Sequence, residues 1–431
     1  MGGDESTHVK NMKIFSKISN FLKGIYYRFV VIVNMIQKAF KYRLYPNKTQ
    51  QILLAKHFGC ARYIYNWALA SKIESYEKSK KTENFISLGN KLPELKKELT
   101  WLKEVNSQSL QSSLKNVDNA FKRFFKEKHG FPKFKSKKHR RDSFHAPQFG
   151  TVDFENGTIS IPKLKNIPAR ISRKFDGKIK IITVSRLPSG KYFASVLVET
   201  NDALPKKPSI REETTIGIDV GLKDYATLSN GEKIDNPRCL RKSQQKLSKE
   251  QYKLSKMDSI NKTKDGNNRD KQRRKVARLY ERITNQRNDF LHKFTHKLTH
   301  DNQVDSVVIE DLSVKNMLKN RCLAKSISDA SWGKFFEFLS YKCEWYGKNL
   351  ITIGRFDPSS KMCSCGVVNK ELTLKDREWT CKECSSHHDR DLLAARNIKH
   401  FGLLRQNKKE IGQEVPELTP LESVSLETSM N

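Results

Sequence analysis

Between residues 36 and 45, Phe40, Tyr42 and Leu44 alternate with Lys41, Arg43 and Tyr45, the two-residue period of a half-buried strand with a basic outer face. Pro46 ends it, and Asn47-Lys48-Thr49-Gln50 has the spacing of a helix cap ahead of Ile52, Leu53 and Leu54. Gly59 is expected to break that helix. Further helices are expected to about Lys128, with Ile64, Trp67, Ala68 and Tyr76 on one apolar face and Leu110, Leu114, Val117, Ala120, Phe121 and Phe124 on another. The pattern then shifts to short runs at 158–161, 179–184 and 192–198, separated by turns at Gly177 and Ser189-Gly190. These predict a small β-barrel or sheet.

A linker over 203–213, with Pro205 and Pro208, marks the main boundary. Beyond it, 216–220, 225–228 and 307–309 are short apolar strands. Between them Val276, Leu279, Tyr280, Ile283, Phe290, Leu291, Phe294 and Leu298 follow helical spacing, while the polar stretch 261–274 predicts a mobile connection. Past Gly402 the chain is polar, with Pro416 and Pro420, and disorder is expected. Phe29-Val30-Val31-Ile32-Val33 is far short of the roughly 20 apolar residues that span a bilayer, so 1–34 is expected to be an N-terminal extension.

Composition sharpens this picture. At about 150 residues per domain, 431 residues predict two or three domains, and a mean hydropathy of −0.68 with 30% charged residues argues against a membrane protein. Charge changes the picture more: 82 Lys and Arg against 47 Asp and Glu leave +35, well beyond the net charge of about 2 to 8 that solubility asks of a small domain. Such an excess points to a polyanion, whose bound counterions are released on association. The stretch 122–141 holds ten Lys or Arg with Phe124, Phe125, Phe131 and Phe134 interleaved, as a phosphate-tracking surface would; the alternative is a solvated basic loop.

Three acids stand out against apolar surroundings. Asp219 lies in Ile216-Gly217-Ile218-Asp219-Val220-Gly221-Leu222, Glu310 ends Val307-Val308-Ile309, and Asp391 opens the helical segment Asp391-Leu392-Leu393-Ala394-Ala395-Arg396-Asn397-Ile398. Each alone could be a turn former or ion-pair partner. In the order strand, strand, helix they suit an RNase H-like core, whose acids hold Mg²⁺ for phosphodiester cleavage. Asp224, Asp311 and Asp389 are neighbours given supporting roles. Arg390 is left outside the catalytic set.

Eight cysteines are too few for a disulfide scaffold, and four crowd together. Cys363-Ser364-Cys365 and Cys381-Lys382-Glu383-Cys384 enclose fifteen residues, the loop of a zinc ribbon with a structural Zn²⁺. The first pair has one intervening residue where two is usual, so His387 or His388 could substitute for a thiolate; free thiols and disulfides are the other readings.

The chain resembles the TnpB family of insertion-sequence RNA-guided nucleases, related to type V CRISPR effectors. The resemblance spans residues 36–398. It is carried by Phe40-Lys41-Tyr42-Arg43-Leu44-Tyr45-Pro46, Gly217-Ile218-Asp219-Val220-Gly221-Leu222, Ile309-Glu310-Asp311-Leu312, Pro358-Ser359-Ser360 and His388-Asp389-Arg390-Asp391. It implies an α/β multidomain fold: a β-barrel plus helical bundle over 35–204, a RuvC-like core with a helical insert over 205–361, a zinc ribbon over 362–386, a last RuvC helix over 387–402 and a disordered tail over 403–431. It further implies guide RNA and double-stranded target DNA as partners, catalytic Mg²⁺ on Asp219, Glu310 and Asp391, Zn²⁺ on Cys363, Cys365, Cys381 and Cys384, and a cytoplasmic, nucleoid-associated protein. Leu393 stands where the family's last motif usually has Asn. The competing functions are a nuclease-silent RNA-guided repressor, a strand-transfer transposase and a zinc-ribbon transcription factor. The last leaves the strand-terminal acids unexplained.

Overall fold

The computed structural model describes residues 35–127, 129–137, 142–260, 266–300, 303–373 and 375–410. The extension expected over 1–34 and the tail over 411–431 lie outside them. No helix of the described residues is long and apolar enough to cross a membrane.

The first half opens with strand β1 (Met35–Leu44), then helices α1 (Lys48–Ser79), α2 (Phe85–Glu98) and α3 (Ser107–Lys126). Six strands follow: β2 (Asp142–Ala146), β3 (Thr151–Asp153), β4 (Thr158–Ile161), β5 (Leu164–Arg170), β6 (Lys178–Arg186) and β7 (Tyr192–Ala203). The cap expected at Asn47 is present: its side chain accepts from the Gln50 N–H while the Gln50 side chain accepts from the Asn47 N–H. Gly59 does not break the helix. The loss of about 1 kcal/mol from a mid-helix glycine is outweighed by burial of Leu54, Phe58, Cys60, Ala61 and Ile64 around it.

The expected barrel is also corrected. The strands form one antiparallel sheet in the order β2-β6-β7-β1-β5-β4-β3, with β2 and β3 at opposite edges rather than paired. Helix α1 takes the place of closure. Its Leu54, Phe58 and Ala61 pack into the sheet's apolar face with Phe144, Ala146, Ile182 and Val196, and the Phe58 and Phe144 rings meet edge to face at 5.5 Å.

In the second half, β8 (Thr215–Val220), β9 (Asp224–Leu228) and β10 (Lys233–Asp235) lead into α4 (Cys239–Ile260) and α5 (Asn267–His300). There follow β11 (Ser306–Glu310), α6 (Val314–Met317), α7 (Ala324–Ala330), α8 (Trp332–Trp345), β12 (Asn349–Ile353), β13 (Glu378–Thr380), β14 (His387–Asp389) and α9 (Arg390–Glu410). The sheet order is β10-β9-β8-β11-β12, with β8, β11 and β12 parallel. Where a polar connection was expected, α5 already begins at Asn267; 261–265 lie outside the described residues. Helix α9 runs past Gly402 to Glu410, into the segment expected to be disordered.

Both sheet faces are covered, as parallel strands require. Ile216, Ile218, Val307 and Ile309 pack against Leu291, Phe294 and Leu298 of α5 and Phe335 and Leu339 of α8. On the other face Val308, Ile351 and Ile353 meet Ile398 of α9. Strand alternation therefore turns Gly217 and Asp219 of β8, with Val308 and Glu310 of β11, toward α9.

Candidate active site and thiolate cluster

Ile309 is paired with Ile218 across the parallel strands, so the next residues, Glu310 and Asp219, stand side by side at the strand ends. Gly217 lets the third acid approach. A Cβ built on it would lie 2.2 Å from the Ala395 carbonyl oxygen and 2.7 Å from the Lys399 nitrogen, so α9 rests on β8 with no room for a side chain. Two residues along β8 from that contact is Asp219; one turn back along α9 is Asp391. Both steps lead to the carboxyl end of the strands and the positive amino end of α9.

All three acids are half-buried. Burial, reinforced by the like charges of Glu310 and Asp391, pushes the Asp219 carboxyl well above the usual carboxylate range, against the opposing pull of Arg390 and the Val220 N–H. Burial also raises Glu310, opposed by a hydrogen bond that the Ser359 hydroxyl donates to its Oε1 at 2.5 Å. Arg377 places one guanidinium nitrogen 3.4 Å from both Asp391 oxygens. Crowded carboxylates of this kind call for a hard cation. Among the described residues, though, only the four cysteines bring three or more metal-binding atoms within 4.8 Å of one another, so the acids are neighbours rather than a closed ligand shell.

The neighbouring acids have separate duties. Asp389 caps α9, accepting from the N–H groups of Asp391 (3.0 Å) and Leu392 (3.1 Å), and pairs with Lys233 at 2.7 Å. Asp311 pairs with Arg355 at 2.6 Å, and Asp224 begins β9. Arg390 donates to the carbonyls of Thr373 (3.1 Å) and Asp376 (3.3 Å).

Cys363, Cys365, Cys381 and Cys384 converge from two turns, one tightened by Gly366 and one by Ser385, both at positive φ. Sulfur separations are 3.4 Å for Cys363 to Cys384 and 3.8 Å for Cys365 to Cys381. Ligands at about 2.3 Å in a tetrahedron are about 3.8 Å apart, so the cluster fits a zinc-sized ion despite the short first pair. Cys384, contacted by the Ser386 hydroxyl and N–H, is pulled down to about 6. The Val367 N–H favours a thiolate at Cys365, but the adjoining sulfurs push that residue up to about 12. His388 Nε2 stands 3.0 Å from Cys363 Sγ, whereas His387 Nδ1 turns to the Thr380 hydroxyl at 3.2 Å.

Ser359, Arg377 and Asn397 were not named as site residues, although Ser359 lies in the motif Pro358-Ser359-Ser360: Ser359 touches Glu310, Arg377 touches Asp391, and Asn397 holds the segment that bears Ser359.

The fold and these two sites define a mixed α/β protein with acids at the ends of parallel strands and a four-cysteine cluster before its last helix. Family models match in three places: the OrfB model of IS605-type elements, described as "probable transposase", over 195–321; its helix-turn-helix domain over 35–81; and a Cas12f1-like TNB domain over 332–398. A Streptomyces pristinaespiralis protein named "Putative RNA-guided DNA endonuclease" is 40% identical, over 86% of this chain and 91% of its own length. The protein of that name called InsQ, from Escherichia coli K12, is 34% identical over 85% and 92%. The chain belongs to this TnpB (OrfB) family. Its fold is shared with the chain in a cryo-EM structure of a Cas12f1–sgRNA–target DNA complex, at TM-score 0.53 and 15% identity, covering 85% of this chain and 99% of that one.

Proposed function

We propose that this protein is an RNA-guided DNA endonuclease of a mobile element, with a RuvC-like second half that cuts phosphodiester bonds by two-metal-ion hydrolysis. The observation that carries this reading is the placement of Asp219 beside Glu310 at the ends of parallel strands, with Asp391 brought to them through Gly217. The names of the similar proteins support it. Asp219, Glu310 and Asp391 would hold Mg²⁺, which when bound supplies an activated water and charge neutralisation at the leaving oxygen. The chain's own contribution is to fix these carboxylates and leave them partly open to substrate. Cys363, Cys365, Cys381 and Cys384 would hold a structural Zn²⁺, with four ligands and no open position.

Guide RNA and double-stranded DNA are the proposed partners, matching the +35 charge. On the first half, Phe125, Phe131 and Phe134 remain exposed beside Lys122, Lys126 and Lys133, a surface suited to backbone contact with stacking. The proposed domains are 35–204 for nucleic-acid binding, 205–361 for the core, 362–386 for the ribbon and 387–402 for the last helix.

The test is cleavage of a plasmid library, randomised beside the target, by protein co-expressed with the DNA downstream of its gene and a reprogrammed guide. Guide-dependent, Mg²⁺-dependent cuts are expected. The "probable transposase" description keeps strand transfer as a second reading, distinguished by joined rather than hydrolysed ends.

A further inference from the structure

Between β12 and the first cysteine, residues 354–362 are fastened to α9 at two points. Arg405 pairs with Asp357 at 3.2 Å. Nearer the strand ends, the buried Asn397 uses both amide hydrogens on this segment, donating to the Ser359 carbonyl at 2.7 Å and the Met362 carbonyl at 2.6 Å. Between these ties the backbone makes a tight turn, with Met362 N–H donating to the Pro358 carbonyl at 3.0 Å. Ser359 is itself buried, and its hydroxyl donates to Glu310 Oε1 at 2.5 Å. The residue after Met362 is Cys363, whose N–H donates to Val367 in the cysteine turn.

We propose that Ser359 is a positioning residue for Glu310, locked by Asn397, and that it sets the orientation in which Glu310 meets its cation. The proposal rests on the reading of Glu310 as a metal ligand. A carboxylate at a strand end can rotate about its terminal bond. One hydroxyl hydrogen on Oε1 fixes that rotation and leaves Oε2 for a cation. Ser359 cannot swing away without breaking its burial, because its carbonyl is tied to the helix that carries Asp391. One helix thus presents one acid and braces the segment that steers another, so the two acids keep a common frame. Partners that orient metal ligands change metal affinity or activity by about 10- to 100-fold.

The test uses the full chain with zinc loaded, in variants Ser359→Ala, Ser359→Thr and Glu310→Gln. Mn²⁺ binding is read by electron paramagnetic resonance, and cleavage is titrated with Mg²⁺. Ser359→Ala is expected to weaken Mn²⁺ binding about 10- to 100-fold and move cleavage to higher Mg²⁺, with zinc content unchanged. Ser359→Thr, which keeps the hydroxyl, is expected to restore both and so excludes a folding defect as the cause. Unchanged Mn²⁺ affinity and Mg²⁺ dependence in Ser359→Ala, with Glu310→Gln impaired, would overturn the positioning role alone. Unchanged Mn²⁺ binding in Glu310→Gln would overturn the carboxylate site and the positioning role with it.

Discussion

Gly217 of β8 and Ala395 of α9 touch backbone to backbone, so closely that a methyl group on Gly217 would lie 2.2 Å from the Ala395 carbonyl oxygen. This contact sets the distance from the sheet to the helix that carries Asp391. Gly217→Ala must push the helix outward, and overpacking of this kind costs about 1–3 kcal/mol. A lower melting temperature is expected together with impaired cleavage. A variant that melts and cuts like the parent would show that the helix has slack the geometry denies.

Asn397→Ala leaves the carbonyls of Ser359 and Met362 without their donor in a buried setting. Each unsatisfied group costs about 1–3 kcal/mol. Chemical denaturation should report a loss of about 2–6 kcal/mol for the two groups together, and limited proteolysis should open first within 354–362.

Removing metal from the cysteine cluster is expected to lower the melting temperature and free four thiols for titration, since Cys363 and Cys381 are buried and little else forms that small core beyond Leu372, Trp379 and Leu393. Thiol titration before and after chelation checks this. An unshifted melt after zinc loss would make the cluster dispensable to folding.

Lys342 provides a pH signature. Its ammonium is buried between α5 and α8, donating to the His292 carbonyl at 2.7 Å and the Thr295 hydroxyl at 2.8 Å, and burial lowers it from 10.5 to about 8. The folded value lies below the unfolded one, so between them the unfolded chain binds more protons and stability rises with pH. Below that window the cost of the buried charge is present in full. Lys342→Met should flatten this slope, read by denaturant unfolding at several pH values through the window. Identical slopes in the two proteins would assign the charge no cost.

The strands that carry the acids were legible because each is a short β-branched run interrupted by a single carboxylate, and Asp391 because its helix follows at once. Gly59 was misread because local propensity favours a break, and only the packing of Phe58 and Ile64 against distant elements outweighs it. Strand β12 was missed: Asn349–Ile353 is five residues beside an aromatic-rich helix, where apolar density carries no distinguishing period. Closure of the first sheet was over-read, because alternation tells which face is apolar and not what covers it. Ser359 entered only as part of a family motif and Asn397 only within a helical segment, neither with a role, for a related reason: serine and asparagine carry no chemistry in isolation, and their contacts run across 49 and 38 positions of chain.

Whether Asp219, Glu310 and Asp391 form one metal-dependent cutting site is decided by single-turnover cleavage of a guide-matched DNA duplex by Asp219→Ala. The variant is expected to retain guide RNA and target DNA binding while cleavage falls to background at every Mg²⁺ concentration. Cleavage at the parent rate by a correctly folded Asp219→Ala protein would contradict it.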